Sequence, residues 1–163
     1  MIKFDKDVLS TLKTLEKEGF ETYAVGDCVR NLLCGMQIYD WDLTTKASMD
    51  DLMRLFPEGK RIEGESPVVR LDFTYEVKGK DEDEPSHLEG SVLDVHHMEG
   101  TIADEMGRSG FTVDAMADNP DRTFVDPYGG REDIKKKLVR AVSDPDRLFK
   151  EEPIKMMEAV RLA

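Results

Sequence analysis

The chain has 163 residues, a charged fraction of 36% and a formal net charge of −12 at pH 7, with a mean hydropathy of −0.50. That length suits one ordinary domain, or one domain plus part of another, and an apolar fraction of 39% is enough for a core. The acidic balance argues against a free-standing nucleic-acid binder; no stretch approaches the roughly 18 consecutive apolar residues of a membrane helix, and residues 1–7 lack the apolar segment of a secretory signal.

Val8, Leu9, Leu12 and Leu15 recur at helical spacing, which predicts a helix over Asp5 to Glu18 that Gly19 stops. Thr22 to Val25 reads as a short strand, Asp27 to Cys34 as a helix and Tyr39 to Thr45 as a second strand. Cys28 and Cys34 fall in one predicted helix without the spacing of a disulfide framework or zinc knuckle, and are expected to be reduced packing thiols. Ser48 with Asp51 forms a capping pair for a helix ending near Phe56-Pro57. Val68 to Val77 and Ser91 to His96 are expected to form a hairpin around the acidic Lys78 to Gly90 loop, with Asp81 to Glu84 a solvated tip. Thr101 to Met106 and Phe111 to Ala117 read as short helices, Asp126 to Gly130 as a turn, and Arg131 to Leu138 as a basic helix. Lys135, Lys136, Lys137, Arg140, Arg147 and Lys150 concentrate positive charge there, which suits a solvated helix surface or a local phosphate contact. Pro153 suits the first turn of a last helix, whose Ile154, Met157, Val160 and Leu162 are followed by nothing to complete a hairpin; the chain is therefore expected to be the N-terminal piece of something longer or a truncated relative. Met156 and Met157 suit core or interdomain packing rather than recognition.

The chemistry concentrates at Asp40-Trp41-Asp42, preceded by the glycine turn Val25-Gly26-Asp27. Strand side chains alternate, so Asp40 and Asp42 share one face while Trp41 and Leu43 enter a core. Two carboxylates facing a helix N-terminus suit divalent cations with a nucleoside triphosphate between them. His96 shares a face with Asp94, but His97 points the other way, which argues against zinc shared with His97 or His87.

Several segments carry a resemblance. Tyr23-Ala24-Val25-Gly26, Cys28-Val29-Arg30, Leu32-Leu33, Gly35 and Asp40-Trp41-Asp42-Leu43-Thr44-Thr45 lie in order ahead of Phe111 to Ala117, Val125 to Asp133 and Arg140-Ala141-Val142. Together they resemble the head of the class II tRNA nucleotidyltransferase and bacterial poly(A) polymerase family, within the polymerase-beta-like nucleotidyltransferases; Glu151 to Ala163 is similar to its first neck helix. The resemblance implies an α/β (α+β) head, a small mixed sheet flanked by helices, over residues 1–138, followed at 139–163 by the beginning of an all-α neck. It implies Mg²⁺ held by Asp40, Asp42 and, by alignment, Asp94, with Asp72 and Glu76 as alternatives for the third carboxylate. Gly26 and the helix after it would cradle the triphosphate, with Asp27 at the turn and Arg30 one turn in. Arg108, Glu152, Lys155 and Arg161 fall in the family's nucleotide-binding segments.

The chain also departs from that pattern. Asp27 stands where the family has a second small residue, placing a carboxylate against a polyanion, although it would also serve as a helix N-cap paired with Arg30. Arg30-Asn31 replaces Arg-Asp. The family's Arg-Arg-Asp reads Arg108-Ser109-Gly110, which removes its sugar-contacting carboxylate. Glu152 and Lys155 replace the Asp and Arg that meet the base, with Glu158 at a second Arg; lysine lacks the planar donor fork of arginine. The expected activity is Mg²⁺-dependent addition of C and A from CTP and ATP to the tRNA 3′ end, in the cytoplasm and without a membrane. Poly(A) addition to RNA, a non-catalytic nucleotide- or RNA-binding paralogue, and nucleotidyl transfer to a small molecule or protein are the alternatives.

Overall fold

The computed structural model describes residues 3–77 and 86–163; the acidic run Asp81 to Glu84 lies outside them. The chain opens with helix α1 (Lys6–Lys17), strand β1 (Thr22–Val25), helix α2 (Asp27–Leu33), strand β2 (Asp40–Thr45) and helix α3 (Met49–Leu55). Strands β3 (Lys60–Ile62), β4 (Val68–Asp72), β5 (Tyr75–Val77), β6 (His87–Glu89) and β7 (Val92–His97) follow, then helix α4 (Ile102–Gly107), a 3-10 turn at Thr112–Asp114 and strand β8 (Ala117–Asp118). Helices α5 (Gly130–Lys136), α6 (Pro145–Glu151) and α7 (Ile154–Leu162) complete the described chain.

Six strands form one mixed sheet in the order β3-β4-β7-β2-β1-β8, with β2 and β7 parallel and the other neighbours antiparallel. Strand alternation gives the two faces opposite chemistry. Ala24, Trp41, Leu43, Val69, Leu71, Leu93 and Val95 are buried on one face, in a core that also contains Val8, Leu12 and Leu15 of α1, Val29 of α2 and Leu52 of α3. Trp41 is anchored there: its ring stacks on Phe4 at 5.4 Å, and its indole N–H donates to Asp5 at 3.3 Å. Asp5 also accepts from Ser91 at 2.6 Å. The strand bearing the two aspartates is thus pinned from beneath by the residue between them.

Ser48 and Asp51 form the expected capping box. The hairpin differs from its expected form. Val68 to Val77 is not one strand, because the Asp72 carboxylate accepts from both the amide and the hydroxyl of Thr74, at 2.9 and 2.6 Å, and turns the chain out of the main sheet. β5 then pairs with β6 in a separate two-stranded sheet, so residues 87–89 of the expected loop are strand.

Phe111 to Ala117 is a 3-10 turn followed by a short strand rather than one helix. Val125 bridges Ala117, and Ala141 bridges Phe111, so this stretch bonds to neighbouring segments instead of to its own next turn. Helix α6 went unpredicted, although Asp144 caps it by accepting from the amide of Arg147 at 2.9 Å and proline occupies its first turn. Cys28 packs in the core as expected, but Cys34 is exposed.

The last helix leaves most of its large apolar residues exposed. Ile154, Met156, Met157 and Val160 are exposed, so the two methionines lie outside the core of this chain. Ala159 and Leu162 instead join Phe111, Val113 and Leu148 in a small core. The inward stripe of α7 is therefore 155, 158, 159 and 162, and it carries Lys155 and Glu158 toward the rest of the chain.

Candidate active site

The face of the sheet opposite the main core carries the charged residues. The register places Val25, Asp42, Asp94 and Arg70 in one row across β1, β2, β7 and β4. The adjacent row holds Asp40, Val92 and Asp72. Asp40, Asp42, Arg70, Asp72 and Asp94 all line a cleft of about 460 Å³. Asp40 and Asp42 therefore share a face because β2 alternates, and Asp94 joins them because β2 and β7 run parallel in register.

The carboxylates are not equivalent. Asp42 is reached by solvent, yet the surrounding protein desolvates it and Asp27, Asp94 and Asp40 add like charge, which together push its carboxyl up to about 6. His96, two residues beyond Asp94 on the same face, acts in the opposite direction. Asp94 is clamped by Arg70, which donates from Nε at 2.8 Å and from Nη2 at 2.6 Å in a fork-to-fork pair. Among the described residues, no three His, Cys, Asp or Glu side chains stand close enough to enclose an ion; with Asp94 turned to Arg70, Asp40 and Asp42 remain as the free pair. Asp72, an alternative third carboxylate, lines the cleft but is taken by Thr74, whereas Glu76 lies in the separate β5–β6 sheet and accepts from Ser86 at 2.5 Å.

Gly26 joins β1 to α2 with φ +80, a conformation that disfavours any side chain. Its amide donates to Met116 O at 3.2 Å, and a Cβ built on it would meet no atom within 4 Å, so the turn borders open space. Asp27, the first residue of α2, is half exposed and only loosely paired with Arg30 at 3.8 Å. It is not the N-cap; Gly26 occupies that position. Arg30 is mostly buried and makes its close ion pair with Asp114. Sequence reasoning missed Asp114 and Arg70, which carry no signature until β4 and the 3-10 turn are placed beside the cleft and α2.

The remaining predicted residues divide between places. Lys155 reaches Gly110: a Cβ there would stand 3.0 Å from Lys155 Cδ and 3.1 Å from Cε. Its ammonium donates to Glu158 at 2.8 Å rather than to Glu152, which ends α6 and is exposed. Arg161 lies on the outer side of α7 with Ile154 and Met157, away from Lys155. Arg108 donates to Glu105 at 2.7 Å and borders a different cavity, about 520 Å³, together with His96 and His97. The two histidines diverge: His96 meets Glu105 at 3.2 Å, and His97 meets the carbonyl of Ala47 at 3.0 Å.

The model of the poly A polymerase head domain matches residues 22–140. The chain belongs to that family. The matched segment runs from β1 to just past α5 and contains the whole carboxylate row. The chain is 36% identical over 162 residues to a CCA-adding enzyme of Geobacillus thermodenitrificans, covering 96% of this chain and 39% of that protein. It is 28% identical over 171 residues to poly(A) polymerase I of Haemophilus influenzae, covering 97% of this chain and 38% of that protein. A solved structure of the Bacillus stearothermophilus CCA-adding enzyme in complex with CTP superposes with a TM-score of 0.76 at 29% identity, over 96% of this chain and 38% of that chain. This poly A polymerase head domain chain thus spans about two fifths of the length of the relatives it matches, and the mixed α/β architecture expected from its sequence is the one it shares with the Bacillus stearothermophilus structure. Among the described residues, no helix is long and apolar enough to cross a membrane.

Proposed function

We propose that this chain forms the head, residues 1–138, and the beginning of the neck, 139–163, of a Mg²⁺-dependent RNA nucleotidyltransferase that adds C and A from CTP and ATP to the 3′ end of tRNA in the cytoplasm. The observation that carries this reading is the row on the open sheet face, where Asp42 and Asp94 stand side by side with Asp40 next along β2, all on one cleft. The donor set is all oxygen, which suits Mg²⁺. A carboxyl held at about 6 by burial and like charge is one that a cation would relieve. Asp40 and Asp42 would hold the ion, and Asp94 would join once released by Arg70. When bound, the metal would activate the attacking hydroxyl and neutralise charge on the leaving pyrophosphate. The test is incorporation of labelled CTP and ATP into tRNA lacking its terminal CCA, by the chain and by the longer protein of which it is the head. Activity that Asp40→Ala removes supports the reading. Efficient use of ATP alone on any RNA 3′ end would make the protein a poly(A) polymerase.

A second reading, a nucleotide-binding module without catalysis, draws on Arg70 and Asp27. Arg70 supplies Asp94 with a fixed counter-ion where a cation would sit. Arg70→Gln should therefore tighten Mn²⁺ binding, read by electron paramagnetic resonance, by about fivefold. If both proteins bind Mn²⁺ alike, the guanidinium does not compete. Asp27 presents a half-exposed carboxylate beside the glycine turn, where the triphosphate would lie. Asp27→Gly is expected to tighten CTP binding about three- to tenfold in calorimetry; unchanged affinity would show that the carboxylate does not face the phosphates. Catalytic inactivity of the longer protein, with nucleotide binding intact, would establish the module.

A further inference from the structure

The carboxylate row has a direction. Gly26 and the start of α2 lie beside β1, whereas Arg70 belongs to β4, on the far side of Asp42 and Asp94. Three strand spacings separate those two ends, about 14 Å. Among the described residues that line the cleft, Arg70 is the one cation, set against Asp40, Asp42, Asp72 and Asp94. Its side chain is 47% exposed, against 25% for Asp94. Nε and Nη2 are committed to Asp94, and the charges of Asp40 and Asp72 also act on the guanidinium. A cation so placed is held by the cleft yet open to whatever enters it.

That placement bears on how an RNA strand reaches the cleft. In nucleotidyl transfer the attacking hydroxyl and the departing pyrophosphate lie on opposite sides of the α-phosphorus. With the proposed triphosphate by the Gly26 turn, the RNA must arrive from the β7–β4 side. Its phosphates would there meet Asp72 and Asp94 at short range, which is costly unless a cation intervenes. Arg70 is the cation on that side. The planar fork that grips the Asp94 carboxylate fits a phosphate equally well. We infer that Arg70 receives a backbone phosphate at the 3′ end of the accepting RNA strand, and that in passing from carboxylate to phosphate it frees Asp94 for the metal. This assignment rests on the nucleotidyltransferase reading and deepens it. RNA arrival and metal binding are coupled through one side chain, because both draw on the same ion pair.

The test is the affinity of the whole chain for a 5′-labelled RNA hairpin with an unpaired 3′ strand, read by fluorescence anisotropy in EDTA over a series of salt concentrations. Chelation removes divalent ions, so only the protein's own charges act. Arg70→Gln should weaken binding about fivefold and reduce the slope of log K against log salt by about 0.7, the share of one phosphate on a single strand. Arg70→Lys, which keeps the charge, should keep the slope. Asp94→Asn, which opens the clamp, should tighten binding about threefold, and the gain should shrink in the Arg70→Gln background. A gain of equal size in both backgrounds would be general relief of negative charge and overturns the assignment. So does a folded Arg70→Gln protein with wild-type affinity and slope, or a wild-type chain that does not bind the RNA. Weaker CTP binding by Arg70→Gln with unchanged RNA binding would give the guanidinium to the triphosphate instead. None of these outcomes decides the nucleotidyltransferase reading, which stands or falls on the incorporation of CTP and ATP.

Discussion

Asp42→Asn is expected to make the ion-free protein more stable above about pH 6 while removing its response to divalent cations. The Asp42 carboxyl is raised to about 6, first by desolvation and then by the charges of Asp27, Asp94 and Asp40. An unfolded aspartate titrates near pH 3.9. Below that value the group is protonated in both states and contributes nothing. Between the two values the unfolded state has released its proton while the folded state still holds it, so stability falls as pH rises and the cost is complete above about 6. The amide has no charge to crowd. Because Asp42 opens on a solvent-filled cleft, screening reduces the gain to about 1 kcal/mol, or a few degrees in melting temperature. The difference between wild type and variant should be present at pH 8 and close at pH 4. Added Mn²⁺ should then stabilise the wild type by mass action and leave the variant unmoved. A pH-independent gap would locate the effect in packing, and equal stabilisation by Mn²⁺ would remove Asp42 from the set of metal ligands.

The same residue shows what a sequence makes legible. Asp40, Trp41 and Asp42 could be assigned to opposite faces because strand periodicity is local, and Trp41 is indeed buried between them. The pairing of Asp42 with Asp94 could be expected only through resemblance, since it depends on β2 and β7 being parallel neighbours. Arg70 was invisible for the same reason: nothing in the spacing of residues 70 and 94 says that they face each other across two strands. The failed strand at Asp72 was readable in principle, because aspartate followed two residues later by threonine favours a side-chain turn. The inward face of the last helix was not legible, because Ile154, Met157 and Val160 are exposed. Small Ala159, Leu162 and the aliphatic part of Lys155 form that face, while larger residues face outward. A pattern of hydrophobicity reports burial only where a helix has a partner wide enough to cover it.

Asp133→Ala should be the most destabilising single change outside the main core. Asp133 is buried at 3% exposure, and its carboxylate accepts from the Thr112 hydroxyl at 2.6 Å and from Arg140 Nε at 2.9 Å. Arg140 also donates to Tyr128 O at 2.8 Å, and its own carbonyl accepts from the amide of Thr112 at 2.9 Å. One carboxylate thus joins α5, the 3-10 turn and the segment leading to α6. Removing it leaves a buried hydroxyl without an acceptor and a guanidinium without its counter-ion, a loss of about 3 kcal/mol, or roughly 6 to 12 °C for a chain of this size. Asp133→Asn keeps an acceptor for Thr112 and should lose about half as much. Desolvation pushes the Asp133 carboxyl up, but the Thr112 hydroxyl and Arg140 outweigh it and hold the group below its ordinary value. Its contribution is therefore complete above the unfolded value near pH 3.9 and is lost as pH falls through the lower folded one, so the gap between wild type and Asp133→Ala should narrow on acidification below about pH 4. A gap that stays constant down to pH 2 would mean that shape and not charge sets the cost. Because the 3-10 turn held by Asp133 also carries Asp114, the ion-pair partner of Arg30, the same substitution should loosen that pair and weaken nucleotide binding even where the protein remains folded.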